Sequence, residues 1–172
     1  MMGLVMTVRA TRKLLDRLGP ATTDLEQATT VLGEWYGTAL PWRPRQVALM
    51  MSDRTLLPVL LPLAPAATLL ARFPTHLAAV LTAHGVPAQF IEDEIAQMRS
   101  WQVAPTNNRS RVGSLNEFTS LATHVRDNYP GPDLIGLSMW LATIPCSPLY
   151  KRHISPHREL AALIRRGHEQ ET

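Results

Sequence analysis

Seventeen uncharged residues, T-L-L-P-V-L-L-P-L-A-P-A-A-T-L-L-A, separate Arg54 from Arg72. A segment this apolar first raises the question of a membrane. It is a poor membrane span, because a spanning helix needs about 20 apolar residues and Pro58, Pro62 and Pro65 interrupt this one. The prolines also forbid a single buried helix. The segment therefore splits at Pro65 into an extended half and a helical half. The extended half follows Q-V-A-L-M-M-S, with Asp53 and Arg54 between the two runs, and the pair reads as a β-hairpin. Pro58 and Pro62 lack a ladder N–H, which puts the second strand at a sheet edge or on a bulge.

The other elements are placed around this hairpin. Leu4–Arg9 is β-branched enough for a first strand. Thr11 then caps the helix R-K-L-L-D-R-L, which Gly19 and Pro20 end. Residues 20–30 read as a polar loop, and T-V-L-G-E-W-Y-G-T-A-L-P-W as irregular with one helical turn near Trp35. Thr75 is the expected cap of H-L-A-A-V-L-T-A-H, which Gly85 stops, and Pro87 opens A-Q-F-I-E-D-E-I-A-Q-M. In that helix Phe90, Ile91, Ile95 and Met98 form the inner stripe, and Glu92, Asp93 and Glu94 face outward. W-Q-V-A (101–104) adds a short strand, N-Y-P-G-P (128–132) is a breaker, and Asp133 caps L-I-G-L-S-M-W-L-A. After a Pro-rich irregular segment, Ser155 and Pro156 open a last helix that Gly167 closes. The expected fold is α+β: a small, mainly antiparallel sheet of about four strands covered by five or six helices. It forms one domain over residues 1–168, with 169–172 a disordered acidic tail.

The net charge of +3 is mild, but its distribution is uneven. Residues 1–104 hold nine Arg/Lys against eight Asp/Glu, whereas 105–168 hold eight against four. Only Lys13 and Lys151 are lysines. The arginine bias suits bidentate contacts to phosphate or carboxylate, and codon usage in a GC-rich genome gives the same bias. Cys146 is the single cysteine, so neither an internal disulfide nor a Cys-based zinc site is available. The N-terminus lacks the basic n-region of a signal peptide. A cytoplasmic location, no membrane and no cofactor are the expectations.

The stretch T-N-N-R-S-R-V-G-S-L-N-E-F (106–118) carries the most specific pattern. Ser114 and Glu117 are spaced as a capping box, and Leu115, Phe118, Leu121, Ala122 and Val125 recur at helical spacing behind it. Upstream stand Arg109, Ser110, Arg111 and Gly113, with Asn107, Asn108 and Asn116 close by. Glycine, guanidinium groups and a helix N-terminus together suit an anion. The stretch is no P-loop, since it lacks G-x-x-x-x-G-K-[ST], and Glu117 would compete for the same N–H groups. The plainer alternative is that Arg109 and Arg111 pair with carboxylates or carbonyls of their own fold and fix the loop. The candidate ligand-binding residues are Arg109, Ser110, Arg111, Gly113, Ser114 and Asn116.

This stretch resembles the signature N-S-R-S-V-L-G-S-L-N-D-F of a bacterial family of unknown function. V-R-A-T-R-K-L-L-D-R-L-G followed by V-L-G-E-W-Y, and L-S-M-W-L-A-T-I-P-C-S-P-L, are similar to further segments of that family. The chain departs from the pattern at Arg111, where valine usually follows the serine. The resemblance implies that Arg109, Ser110, Gly113, Ser114 and Asn116 belong to a shared site or a shared structural turn. It implies no activity.

Other chemistry is thinner. His153, His157 and His168 lie near one another in sequence, but Pro156 keeps the first two off a common helix face, so no metal site is expected. Cys146, between Pro145 and Ser147, lacks an evident activating base. Lys151, Arg152, Arg158, Arg165 and Arg166 make the C-terminal region basic, in the manner of phosphate-backbone contacts. Three functional classes follow. The favoured one is a non-enzymatic binding module for nucleic acid or an acidic protein surface through Arg109–Asn116. The second is an enzyme on a phosphate-bearing small molecule, with Asn116, Glu117 or His124 near the chemistry. The third is an antitoxin-like or structural partner that uses the uncharged Leu56–Leu70 region as its contact surface. Oligomeric state is open.

Overall fold

The structure, a computed structural model, describes residues 3–128 and 133–171. Five strands form one sheet: β1 (Met6–Ala10), β2 (Trp35–Leu40), β3 (Val47–Ser52), β4 (Pro58–Pro62) and β5 (Trp101–Pro105). Six helices surround it: α1 (Arg12–Leu18), α2 (Leu69–Ala83), α3 (Ala88–Ala96), α4 (Arg109–Asn128), α5 (Leu134–Leu141) and α6 (Pro156–Glu171). The strand order is β4-β3-β2-β1-β5. β2, β3 and β4 form an antiparallel meander, while β1 runs parallel to both β2 and β5. The antiparallel character expected from sequence thus holds for half of the sheet.

Pro58 and Pro62 lie on β4, an edge strand, as their missing N–H groups require. Both faces of the sheet are covered, which explains why β3 and β4 read as continuous apolar runs rather than alternating ones. Met6, Val8, Trp35, Met50 and Val59 join the core on the side of α1, α2, α3 and α6. Tyr36, Leu49, Met51 and Leu60 join a second core with Leu115 and Phe118 of α4 and Leu137 and Leu141 of α5. Of the uncharged Leu56–Leu70 region offered as a contact surface, Leu56–Leu61, Leu63, Leu69 and Leu70 are buried and belong to the core, and only the short 64–68 turn is open to solvent.

Several local expectations are corrected. Residues 35–40 are a central strand rather than a helical turn; Gly37 is needed there, because a Cβ would lie 2.8 Å from Leu14 and from Met50. α2 starts at Leu69 rather than after Thr75 and runs through Pro74, drawn in by the burial of Leu69, Leu70 and Phe73. One helix-long stretch, 66–83, has the length and composition of a membrane span, and its inner face is packed into the first core. Glu94 points inward. α6 passes Gly167 and continues to Glu171, through the residues expected to form a free tail. The N-Y-P-G-P breaker lies outside the described residues beyond Asn128. Asp133 caps α5 as expected, accepting the Gly136 N–H.

Candidate functional site: the head of α4

α4 begins six residues earlier than the capping-box pattern implies. Asn108 is the residue at its head: its side-chain Oδ1 accepts the Arg111 N–H at 3.1 Å and its carbonyl accepts the Val112 N–H at 3.1 Å. Ser114 and Glu117 therefore lie inside the helix and cap nothing. Ser114 is buried with Leu115, Phe118 and Ala122 on the inner stripe. The capping motif was real as a pattern, but the same stretch held a second cap upstream, and the longer helix won.

This shift moves Arg109, Ser110 and Arg111 into the first helical turn, where no acidic residue accompanies them. Arg111 turns toward the sheet and pairs with Asp53 at 2.9 Å. Arg109 stays exposed, with no hydrogen-bond or ion-pair partner among the described residues. Arg109, Val112, Gly113 and Asn116 share one outer stripe of the helix. With Thr106, Asn107 and Asn108 they line an open groove of about 530 Å³ that contains no carboxylate. Of the six candidate residues, the groove collects Arg109, Gly113 and Asn116. Arg111 serves an internal ion pair, Ser110 is exposed on the same turn, and Ser114 is turned inward. Gly113 is in open space, so packing alone does not require a glycine there.

The groove sits at a particular place in the topology. β1 and β5 are parallel neighbours, and their carboxyl ends feed α1 and α4 respectively. α1 packs on one face of the sheet and α4 on the other. Adjacent strands that send helices to opposite faces leave a crevice at their carboxyl ends, the usual ligand position in open α/β sheets. Beneath the head of α4 lies a polar cluster that sequence reading missed. Tyr36 donates its hydroxyl proton to Asn107 Oδ1 at 2.7 Å, and Arg9 pairs with Glu34 at 3.1 Å. Burial first, then the Asp53 and Glu34 charges, hold the Tyr36 phenol above its usual pKa, against the opposing pull of Arg9 and Arg111. At neutral pH it is thus a hydrogen-bond donor that fixes Asn107, not a base. The signal available in sequence was slight, because these side chains come from two strands, β1 and β2, and from turns and loops far apart in the chain.

The remaining candidates separate. His153 contacts the buried Glu159 at 2.9 Å, whereas His157 Nδ1 lies 2.9 Å from the Ala142 carbonyl. No group of three or more His, Cys, Asp or Glu side chains among the described residues could hold a metal ion. Burial pushes the Cys146 thiol up to about 11, so it is protonated at neutral pH and a poor nucleophile. His124 lies two turns beyond Asn116, ~12 Å along the helix axis, and is held by Asn128. The basic C-terminal run is partly neutralised internally, since Arg152, His153 and Arg166 all face Glu159.

A family model described as a domain of unknown function, DUF6933, matches residues 7–159. The chain belongs to the DUF6933 family. No curated protein matches the chain, and no solved structure does. The DUF6933 span takes in all of the sheet except Met6, the groove residues 106–116 and the cluster of Arg9, Glu34, Tyr36 and Asp53.

Proposed function

We propose that this DUF6933 protein is a non-enzymatic binding module that holds an anionic partner, in the first place the phosphate backbone of a nucleic acid, in the groove at the head of α4. The observation that carries the reading is Arg109: a guanidinium with no partner among the described residues, on the first turn of a 20-residue helix, in a groove whose lining holds no carboxylate. The N–H groups of Arg109 and Ser110 have no acceptor within the helix and add to the attraction for an anion. The three asparagines supply neutral hydrogen bonds. Arg158 and Arg165, which line a second groove with Arg152 and His153, provide further positive surface for an extended partner. A salt-titrated binding assay on generic DNA and RNA tests this reading. Affinity should fall steeply with salt, and Arg109→Glu should weaken binding while lowering the salt slope by about 1. No binding to either polymer at low salt rejects it.

A second reading, an enzyme acting on a phosphate-bearing small molecule, draws on the groove's position at the carboxyl ends of β1 and β5. Its weakness is the absence of an evident acid or base in the groove lining. Stabilisation by nucleotides in a thermal-shift panel, abolished by Arg109→Ala, would favour it.

A further inference from the structure

A second groove, which shares no residue with the one at the head of α4, runs between the 150–155 turn and the outer face of α6. Its volume is about 440 Å³, and Arg152, His153, Ile154, Arg158, Ala161 and Arg165 line it, with no carboxylate among them. One wall is held by Glu159, which is 0% exposed and pairs with Arg152 through one oxygen and with His153 Nδ1 through the other, at 2.9 Å. The turn is thereby clamped to α6, and the groove is formed before any partner arrives. The other wall is the exposed stripe Arg158, Ala161 and Arg165. Neither the Arg158 nor the Arg165 guanidinium has a partner among the described residues. Seven residues separate them, about 10.5 Å along the helix axis, and the small Ala161 leaves the space between them open.

Ile154 is the unexpected member of this lining. Its φ is 76°, and the Ser155 N–H closes the turn across it onto the His153 carbonyl at 2.9 Å. A three-residue turn of this hand is rare and strained, and for a β-branched residue most of all; glycine or asparagine would fit it better. Core packing does not call for isoleucine either, because Ile154 is 41% exposed. A strained backbone that presents an apolar side chain beside two free guanidinium groups points to a contact outside the fold.

We propose that this groove docks an extended segment of an acidic partner protein, with an apolar side chain against Ile154 and Ala161 and one carboxylate on each of Arg158 and Arg165. Alternate side chains of an extended strand share a face, so positions i, i+2 and i+4 carry acid, apolar group and acid. The two acids are then ~13 Å apart, a span that two flexible arginine side chains ~10.5 Å apart can meet. Phosphate is less well served. Its sites draw on clustered backbone N–H groups, and here those of Arg152, Ile154, Ser155 and His157 are all spent within the fold. A phosphodiester also brings no apolar group to Ile154. The docking site does not rest on the reading of the α4 groove.

The end-blocked peptide E-S-L-S-E is a suitable probe, titrated into the 15N-labelled full chain at low salt. Amide shifts should concentrate at residues 152–165. K-S-L-S-K should give no response, and E-S-S-S-E should bind at least roughly threefold more weakly, for want of the apolar contact. Arg158→Glu together with Arg165→Glu, both at exposed positions, should abolish the response without changing the circular dichroism spectrum, and Arg109→Glu should leave it intact. Ile154→Asn should keep the parent's stability in chemical denaturation and still weaken the peptide by roughly threefold. No shifts within 152–165, equal binding of either control peptide, or unchanged binding by the arginine pair or by Ile154→Asn would each overturn the proposal. A large loss of stability in Ile154→Asn would do the same, as would full displacement of the peptide by an equimolar single-stranded oligonucleotide, which would give the groove to nucleic acid.

Discussion

Glu94 is the residue that helical periodicity places most wrongly. It is 1% exposed, and its two carboxylate oxygens accept the Val31 and Leu32 N–H groups, both at 2.8 Å. A turn of the 31–33 segment, whose donors would otherwise be orphaned, is tied through it to α3. Burial raises its pKa, opposed by those two backbone N–H groups and by Arg54. Glu94→Gln keeps one acceptor and turns an amide toward the other donor. It should cost about 2 kcal/mol in chemical denaturation; a change under roughly 0.5 kcal/mol would mean the contact is dispensable. His84 makes a prediction of pH dependence. Its folded pKa, about 4, is below the ordinary 6.5, so the unfolded chain binds the extra proton between those values. Stability from this group is present above pH 6.5 and is lost as pH falls toward 4. His84→Gln should flatten that slope in denaturation curves across the window, and an unchanged slope would contradict the burial argument.

At the scale of elements, α4 separates two competing starts. If Asn108 is the cap, Asn108→Ala should destabilise by about 1 kcal/mol. The capping-box alternative expects that loss from Glu117→Ala instead, and Glu117 is exposed inside the helix, where the change should be near neutral. Gly113→Ala should stabilise by roughly 0.5–1 kcal/mol, because the position is helical and open. If it also weakens anion binding, the glycine serves close approach of the partner; unchanged binding would show that it does not. Much at this scale was legible in the chain. The hairpin with its proline edge, the Thr11–Gly19 helix, the 101–105 strand and the Asp133 cap follow from local chemistry. β2 was not legible, because Gly37 and the aromatic cluster around it gain their meaning only from the strands on either side. The α2 start was hidden by Pro74, which propensity treats as a boundary and core packing does not.

For the whole molecule, the sheet order is what makes the site. The sequence pointed to Arg109–Asn116, yet it could not say that Arg111 would be spent on Asp53 while Arg109 stays free, since that division depends on how α4 lies over β2 and β3. Nor could it bring Arg9, Glu34 and Tyr36 beneath the head of α4, because register between distant strands decides that. The charge split along the chain also changes meaning once folded. Part of the basic C-terminal excess is absorbed by Glu159, and the unpaired arginines that line open grooves are the ones left for a partner. The most direct test of the central claim is an NMR titration of 15N-labelled protein with a generic single-stranded oligonucleotide at low salt. Backbone amide shifts should concentrate at Asn107–Asn116, led by Arg109 and Ser110, and should vanish in Arg109→Glu. Shifts confined to residues 152–165, or none at all, would contradict it.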